Sequence, residues 1–203
     1  MQFKYLKYDL YRYFYPDDNI SKITLLKKIM LIIFTQAIWA ITVYRFRRWV
    51  IYECQNSIAR IILKLVGAIF NLFIEITTGI HIGTEIYIGP GLYIGHFGCI
   101  FLGGNTKIGK FCNISQENTI GYAGRADSRG LPVIGDFVYL APGAKIIGKI
   151  RIGNNVAIGA NAVVTHDIPD NAVAVGVPAK VISFNSSRDF IKINRIKNEK
   201  ILK

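Results

Sequence analysis

A hydrophobic residue recurs every six positions between residues 82 and 178, and a small residue follows it in most repeats. The residues that open the repeats are Ile82, Ile88, Ile94, Leu102, Ile108, Ile114, Ile120, Ile134, Leu140, Ile146, Ile152, Ile158 and Val164. A period of six matches neither the turn of an α-helix nor the alternation of a simple strand. It is typical of a parallel β-helix, in which short strands stack coil on coil around one core. The pattern therefore predicts a mainly β protein built on a left-handed parallel β-helix.

The regions on either side of the repeat have a different composition. We predict an N-terminal helical, membrane-surface region over residues 1–76, the β-helix over 77–182 and a basic C-terminal tail over 183–203. Residues 122–133 break the period with turn-forming residues and are predicted to form a loop, where solenoid proteins often place function.

The N-terminal region contains two apolar stretches, 29–44 and 58–76. The first is shorter than the roughly twenty apolar residues that span a bilayer, and it contains Gln36. We expect two helices that pack against each other or lie in the membrane interface with basic side chains at the headgroups. A hairpin packed only on protein and a true membrane span are the alternatives.

The net charge of +12 is concentrated outside the repeat. Residues 1–75 carry eleven basic and five acidic side chains, and 183–203 carry six and two, whereas the segment between them is nearly balanced. An excess in an apolar region and a tail favours an anionic membrane over nucleic acid as the partner. Because three scattered cysteines form no disulfide framework and no secretory signal is visible, we expect a cytoplasmic protein, peripheral on the inner face of the membrane.

Few residues of the repeat are suited to acid–base chemistry. His96 is predicted to face outward between two glycines, where a ligand can reach it, and imidazole titrates near neutral pH. His81 precedes the first repeat, and His166 lies in a predicted exposed turn. No metal-ligand spacing is present, and Cys112 takes an inward position of the repeat, as a buried thiol would.

Together with the repeats, segments 94–96, 118–121, 142–148 and 176–180 resemble the hexapeptide-repeat acyltransferases, in particular their serine O-acetyltransferase-like branch. The resemblance implies an acyltransferase that uses acetyl-CoA as co-substrate without a metal. It implies a homotrimer with acetyl-CoA bound in the clefts between β-helices, and apolar residues at outward positions (Phe97, Phe101 and Tyr139) fit such an assembly. The implied general base is His96, with His81 as its companion. The residues that match the cofactor-lining segments are Gly121, Tyr122, Ala123, Ala141, Ala160 and Lys180.

The chain departs from this branch at three positions. The resemblance implies an Asp before the catalytic His, a His in the loop and an acid that orients the catalytic ring, but the chain has Gly95, Leu131 and His81 there. Either His81 or a backbone carbonyl could then orient His96. Because the first two losses remove charged partners of an amino acid, we expect the acceptor to be a sugar hydroxyl of a capsular or exopolysaccharide or of its lipid-linked precursor. The alternatives are a serine O-acetyltransferase of cysteine biosynthesis and a non-catalytic β-helix scaffold.

Overall fold

The structure is a computed structural model that describes residues 2–15, 23–125 and 129–191. Four helices precede the strands: α1 (Gln2–Phe14), α2 (Leu25–Phe34), α3 (Gln36–Tyr52) and α4 (Ser57–Thr78). The predicted basic tail lies outside the described residues from 192 onward.

The strands form a parallel β-helix, as the six-residue period predicts. They are β1 (Ile80–Ile82), β2 (Tyr87–Ile88), β3 (Tyr93–Ile94), β4 (Ile100–Leu102), β5 (Lys107–Ile108), β6 (Asn113–Ile114), β7 (Thr119–Gly121), β8 (Val133–Ile134), β9 (Tyr139–Leu140), β10 (Lys145–Ile147), β11 (Arg151–Ile152), β12 (Ala157–Ile158), β13 (Val163–Val164), β14 (Val173–Val175) and β15 (Lys180–Ser183). Sheet A contains β1, β4, β7, β10 and β13, sheet B contains β2, β5, β8 and β11, and sheet C contains β3, β6, β9, β12, β14 and β15. All thirteen repeat openers lie in the shared core, and none is more than 3% exposed.

The first apolar stretch is divided between two helices, so the expectation of one helix over 29–44 is wrong. Thr35 is extended (φ −106°, ψ 98°), and α2 and α3 meet there at 81°. α1 was not predicted, because its many tyrosines and lysines give a weak apolar pattern. α3 packs against both α1 and α4. α4 ends at Gly79, whose left-handed conformation (φ 66°) turns the chain into β1.

Polar side chains of α1 and α3 bind the open backbone edge of the first coil. The Tyr44 hydroxyl donates to Ile86 O (2.8 Å) and accepts from Ile88 N (3.1 Å). The Tyr13 hydroxyl bonds both backbone groups of Ile94 at 3.0 Å. Burial raises the pKa of Tyr44 to about 12, so its hydroxyl keeps the proton that it donates at neutral pH.

A buried ion pair joins the two helices to the same coil. Arg45 Nε donates to Asp9 Oδ2 at 2.8 Å, and neither side chain is more than 1% exposed. The Asp9 carboxylate also accepts from Gly91 N and Leu92 N at 2.8 Å, while Arg45 donates to Ile88 O at 2.7 Å. Removal of either charge would leave the other buried without its partner, which is costly in a protein interior.

We therefore expect Arg45→Met to lower the free energy of unfolding by about 3–5 kcal/mol, because Asp9 stays buried without its cation. Urea unfolding at matched protein concentration measures the change. Arg151→Met is the matched control, since Arg151 is exposed on β11, and its effect should stay within about 0.5 kcal/mol. Equal unfolding free energies for the two variants would contradict the role assigned to the pair.

Candidate active site at the first coil

The functional candidates lie along sheet A and at its two borders. The C–A corner is the column of turns 95–99, 115–118, 141–144 and 159–162, which lead from sheet C to sheet A. The A–B corner is the column formed by the turns 83–86, 103–106 and 148–150 and by the described residues 122–125 and 129–132, which lie between sheet A and sheet B. In the C–A corner the turns stack through hydrogen bonds such as Glu117 N to Gly98 O (2.9 Å) and Gly143 N to Gln116 O (3.0 Å).

His96 lies in the first turn of the C–A corner, just after β3. Its side chain is exposed, and within the described part of the chain no hydrogen-bond partner holds its ring. The turn lies directly on the chain that enters β1, since a Cβ on Gly79 would be 2.9 Å from Cys99 N. His96 and His81 are therefore placed at the same end of the β-helix.

His81 lies in the middle of β1, on the outer face of sheet A. Its Nδ1 is 2.7 Å from Glu75 Oε1, and its ring stacks on Phe101 with centroids 4.8 Å apart and planes 10° apart. An ionised carboxylate only accepts hydrogen bonds, so a neutral His81 carries its proton on Nδ1 and leaves Nε2 as a free acceptor. The contact with Glu75 thus fixes the His81 ring with Nε2 available as a hydrogen-bond acceptor.

Glu75 is the functional candidate that the sequence analysis missed. It lies in the last turn of α4, where Asn71 Nδ2 also donates to its Oε1 at 2.6 Å. Asn71 Oδ1 in turn accepts from Arg47 Nη1 on α3. The chain of contacts Arg47–Asn71–Glu75–His81 thus runs from the helices onto sheet A. The sequence contained a signal for Glu75, since it is the only acidic residue between Glu53 and Glu85 and lies six positions before a histidine.

The six cofactor candidates do not come together within one chain. Ala141 and Ala160 lie in the C–A corner, and Lys180 lies next to it, opposite Val175 in the antiparallel pair β14–β15. Gly121, Tyr122 and Ala123 lie at the opposite border of sheet A. There Ala123 lines an open groove of about 300 Å³ together with Gly148, Lys149 and Thr165, among others. Tyr122 carries Arg129 over its ring at 5.2 Å.

The two substitutions noted in the sequence differ in the space around them. Leu131 packs over Gly104, where a Cβ would be 2.7 Å from Leu131 Cδ1, so this side chain is used in packing. At Gly95 an added Cβ would meet only Tyr93 Cε1 at 3.7 Å. A side chain therefore fits at position 95.

The three apolar residues predicted at outward positions differ in exposure. Phe97 and Phe101 are exposed, whereas Tyr139 stacks on Phe190 with ring centroids 4.5 Å apart.

The comparisons with known proteins agree with the β-helix. The bacterial transferase hexapeptide (six repeats) family matches residues 132–166. The serine acetyltransferase of Bacillus licheniformis is 29% identical over 192 residues, which are 93% of this chain and 81% of the relative. Those of Mycobacterium tuberculosis and Synechococcus elongatus are 36% and 31% identical over 54% and 70% of this chain. The chain spans about half the length of these two relatives, 48% and 55%.

Solved structures show the same fold over most of the chain. The Neisseria gonorrhoeae serine acetyltransferase in complex with serine superposes with a TM-score of 0.70 at 25% identity, covering 90% of this chain and 69% of that one. A serine acetyltransferase in complex with CoA gives a TM-score of 0.69 at 24% identity, covering 89% and 69%.

The expectation of a glycan or lipid-linked sugar acceptor is wrong, because the relatives found at 29–36% identity are serine acetyltransferases. That expectation rested on the missing charged groups at positions 95 and 131. The loss of groups that the resemblance implies at these positions does not by itself identify another acceptor.

The Glu75–His81 contact predicts the tautomer of His81. In wild-type protein with labelled histidines, nitrogen chemical shifts should show neutral His81 protonated at Nδ1. Glu75→Leu should remove that preference because the accepting carboxylate is gone, while the signals of His166 stay unchanged. Glu85→Leu is the matched control, since Glu85 is exposed four residues beyond His81. An unchanged His81 tautomer in Glu75→Leu would show that Glu75 does not hold the ring.

Proposed function

Since the chain is a hexapeptide-repeat protein related to serine acetyltransferases, we propose that it transfers an acetyl group from acetyl-CoA to the hydroxyl of serine. The relatives support the donor and the acceptor. The observation in this chain that carries the proposal is the pair of histidines at one end of sheet A: one ring is exposed, and the other is held by a carboxylate at 2.7 Å.

His96 is the general base of the proposed reaction. Its ring takes the proton from the serine Oγ–H while Oγ attacks the thioester carbonyl carbon and forms the new C–O bond. The C–S bond then breaks, and the proton passes from His96 to the leaving sulfur. The products are O-acetylserine and CoA with a free thiol. A base positioned in this way is worth about 10²- to 10⁴-fold in rate.

His81 is proposed as the positioning residue for His96. With Nδ1 bound to Glu75, the free Nε2 of His81 can accept an N–H of the His96 ring when substrate is bound. Glu75, Asn71 and Arg47 hold His81 from behind, and Phe101 supports its ring face. This arrangement would supply the orienting function that relatives are expected to obtain from an acid at position 81.

We propose a homotrimer as the active assembly. The cofactor candidates lie at two opposite borders of sheet A, so a single chain offers only half of them to one ligand. Against a neighbouring copy, the C–A corner of one chain can face the A–B corner of the next. The acetyl-CoA would then contact Ala141, Ala160 and Lys180 of one copy and the 121–123 segment of the other.

The first test is the release of CoA thiol from acetyl-CoA in the presence of serine. Wild-type protein should release thiol with serine and not with alanine, which has no hydroxyl. His96→Ala should lower turnover by about 10²- to 10⁴-fold with little change in acetyl-CoA binding, because an exposed ring contributes little to the fold. His166→Ala is the control, since His166 is also exposed but lies far along the chain from the site. Absence of serine-dependent thiol release by the wild-type protein would overturn the proposed function.

The second test restores the acid that the resemblance implies before the catalytic His. Because the space at position 95 is open, Gly95→Asp should fold normally and add a carboxylate for the serine ammonium group. A hydrogen bond to a charged group is worth about 1.5–3 kcal/mol, so KM for serine should fall about tenfold or more with kcat little changed. Gly95→Asn has the same shape without the charge and should give a much smaller decrease. Equal effects of Asp and Asn would show that the amino group of the acceptor does not approach this position.

A further inference from the structure

Most of the polar side chains of α4 lie on one stripe of the helix, and this stripe includes the side that packs on the protein. Arg60, Lys64, Asn71, Glu75 and Thr78 follow one another at intervals of three, four or seven residues, which places them on one stripe of the helix. Within that stripe Asn71 and Glu75 bind Arg47 and His81, and Arg60 Nε donates to Cys54 O at 2.9 Å. The protein thus occupies most of the stripe that would face water on an ordinary surface helix, whereas Lys64 of that stripe stays exposed.

The rest of α4 is apolar and exposed. Nine large apolar side chains on this helix are 53–75% exposed: Ile58, Ile61, Ile62, Leu65, Ile69, Phe70, Leu72, Phe73 and Ile76. α2 adds seven that are 41–73% exposed: Leu25, Leu26, Ile29, Met30, Ile32, Ile33 and Phe34. Exposed apolar surface on this scale marks a contact with another apolar phase. Because the polar stripe faces inward, the outward face of α4 has the polarity expected of a helix in contact with lipid.

The charges beside this surface favour an anionic partner. α2 contributes Lys27 and Lys28, and α4 contributes Arg60 and Lys64. Glu75 is the only acidic residue of the two helices, and it is already bound to His81. A symmetric contact between two copies of this surface would bring like charges together. Anionic lipid headgroups instead complement each exposed lysine.

A head-to-tail contact with another copy would need a matching apolar surface elsewhere on the chain. Among the described residues, the other large exposed apolar side chains are scattered over α1, α3 and the β-helix, from Phe3 to Phe190. Because these scattered side chains form no matching surface among the described residues, lipid is favoured over a second copy as the occupant of the α4 surface.

We propose that the outward face of α4, with the apolar side chains of α2, docks onto the surface of an anionic phospholipid bilayer. α4 has the length and composition of a membrane span, with 22 residues and a mean hydropathy of 1.9 over its most apolar 18-residue window. It nevertheless packs along α3 and continues through Gly79 into β1, so it lies in the interface with one side held by protein. The protein would then be peripheral on the cytoplasmic leaflet, which carries the anionic lipids.

Flotation of the full chain with vesicles tests this proposal without any substrate, so its outcome is independent of transferase activity. The wild-type protein should bind vesicles of equal parts phosphatidylglycerol and phosphatidylcholine more tightly than vesicles of phosphatidylcholine alone. Added salt should weaken the first interaction, since it screens exposed charges. Lys27→Gln combined with Lys64→Gln should weaken it about tenfold.

The apolar part of the contact is tested by Leu65→Gln combined with Ile69→Gln. Both side chains are more than 60% exposed, so the fold should be retained, and vesicle binding should fall about tenfold or more. Ile182→Gln combined with Phe184→Gln is the matched control, since these side chains are 63% and 64% exposed on and just after β15. The control should bind vesicles as the wild-type protein does.

Three outcomes would overturn the proposal. The first is that wild-type protein fails to bind anionic vesicles, and the second is that the variant at positions 65 and 69 binds them as well as the control. The third is that this variant changes the molar mass measured by sedimentation and leaves vesicle binding intact, which would make the face of α4 an interface between copies of the chain.

Discussion

The structure depends on how the open end of the β-helix is covered. The first coil has no coil before it, so the backbone groups on its outer edge would be unpaired, and unpaired backbone groups are costly when buried. α1 and α3 satisfy several of these groups with side chains: Tyr44 and Arg45 bind the edge at β2, and Tyr13 binds the edge at β3. The Arg45–Asp9 ion pair joins both helices to the coil and to each other. Helices α1 and α3 therefore cover the first coil of the β-helix and pair its edge in place of a preceding coil.

The same covering layer builds the candidate site. β1 and β3 are the strands that position His81 and His96, and the helices bind the coil to which both strands belong. α4 then supplies the carboxylate that holds His81, through a helix end fixed by Gly79. The site thus combines one residue of a strand, one of a turn and one of a helix. At the far end of the solenoid the chain uses a different device, since β15 turns back and pairs antiparallel with β14.

The repetition of coils also explains why the cofactor candidates are divided between two corners. In a triangular β-helix each sheet has two borders, and a ligand lying along one border meets residues that recur once per coil. His96, Ala141 and Ala160 share one border for this reason, whereas Gly121 and Ala123 belong to the other. Repetition places these residues in columns, and in the proposed trimer a neighbouring β-helix would bring the two columns together. The lipid-facing polarity proposed for α4 and the intersubunit site proposed for sheet A therefore concern different surfaces of the chain.

The sequence by itself determined the β-helix, because a six-residue period places every opener inward, and all thirteen openers are buried. It also placed His96 at an outward position, since outward positions follow from the same period, whereas the structure showed that this position is a turn. The tertiary structure alone decided what lies beside His81. Glu75 is six residues away in sequence, but it reaches the ring only because α4 ends in a left-handed turn and packs along α3. Likewise, the sequence shows from the spacing of its polar residues that α4 has a polar stripe. That this stripe faces the protein is decided by the contacts of α4 with Arg47 and the first coil. Local periodicity can be read from the sequence directly. Contacts between elements depend on how the helices pack, and helices of similar composition can pack in different ways.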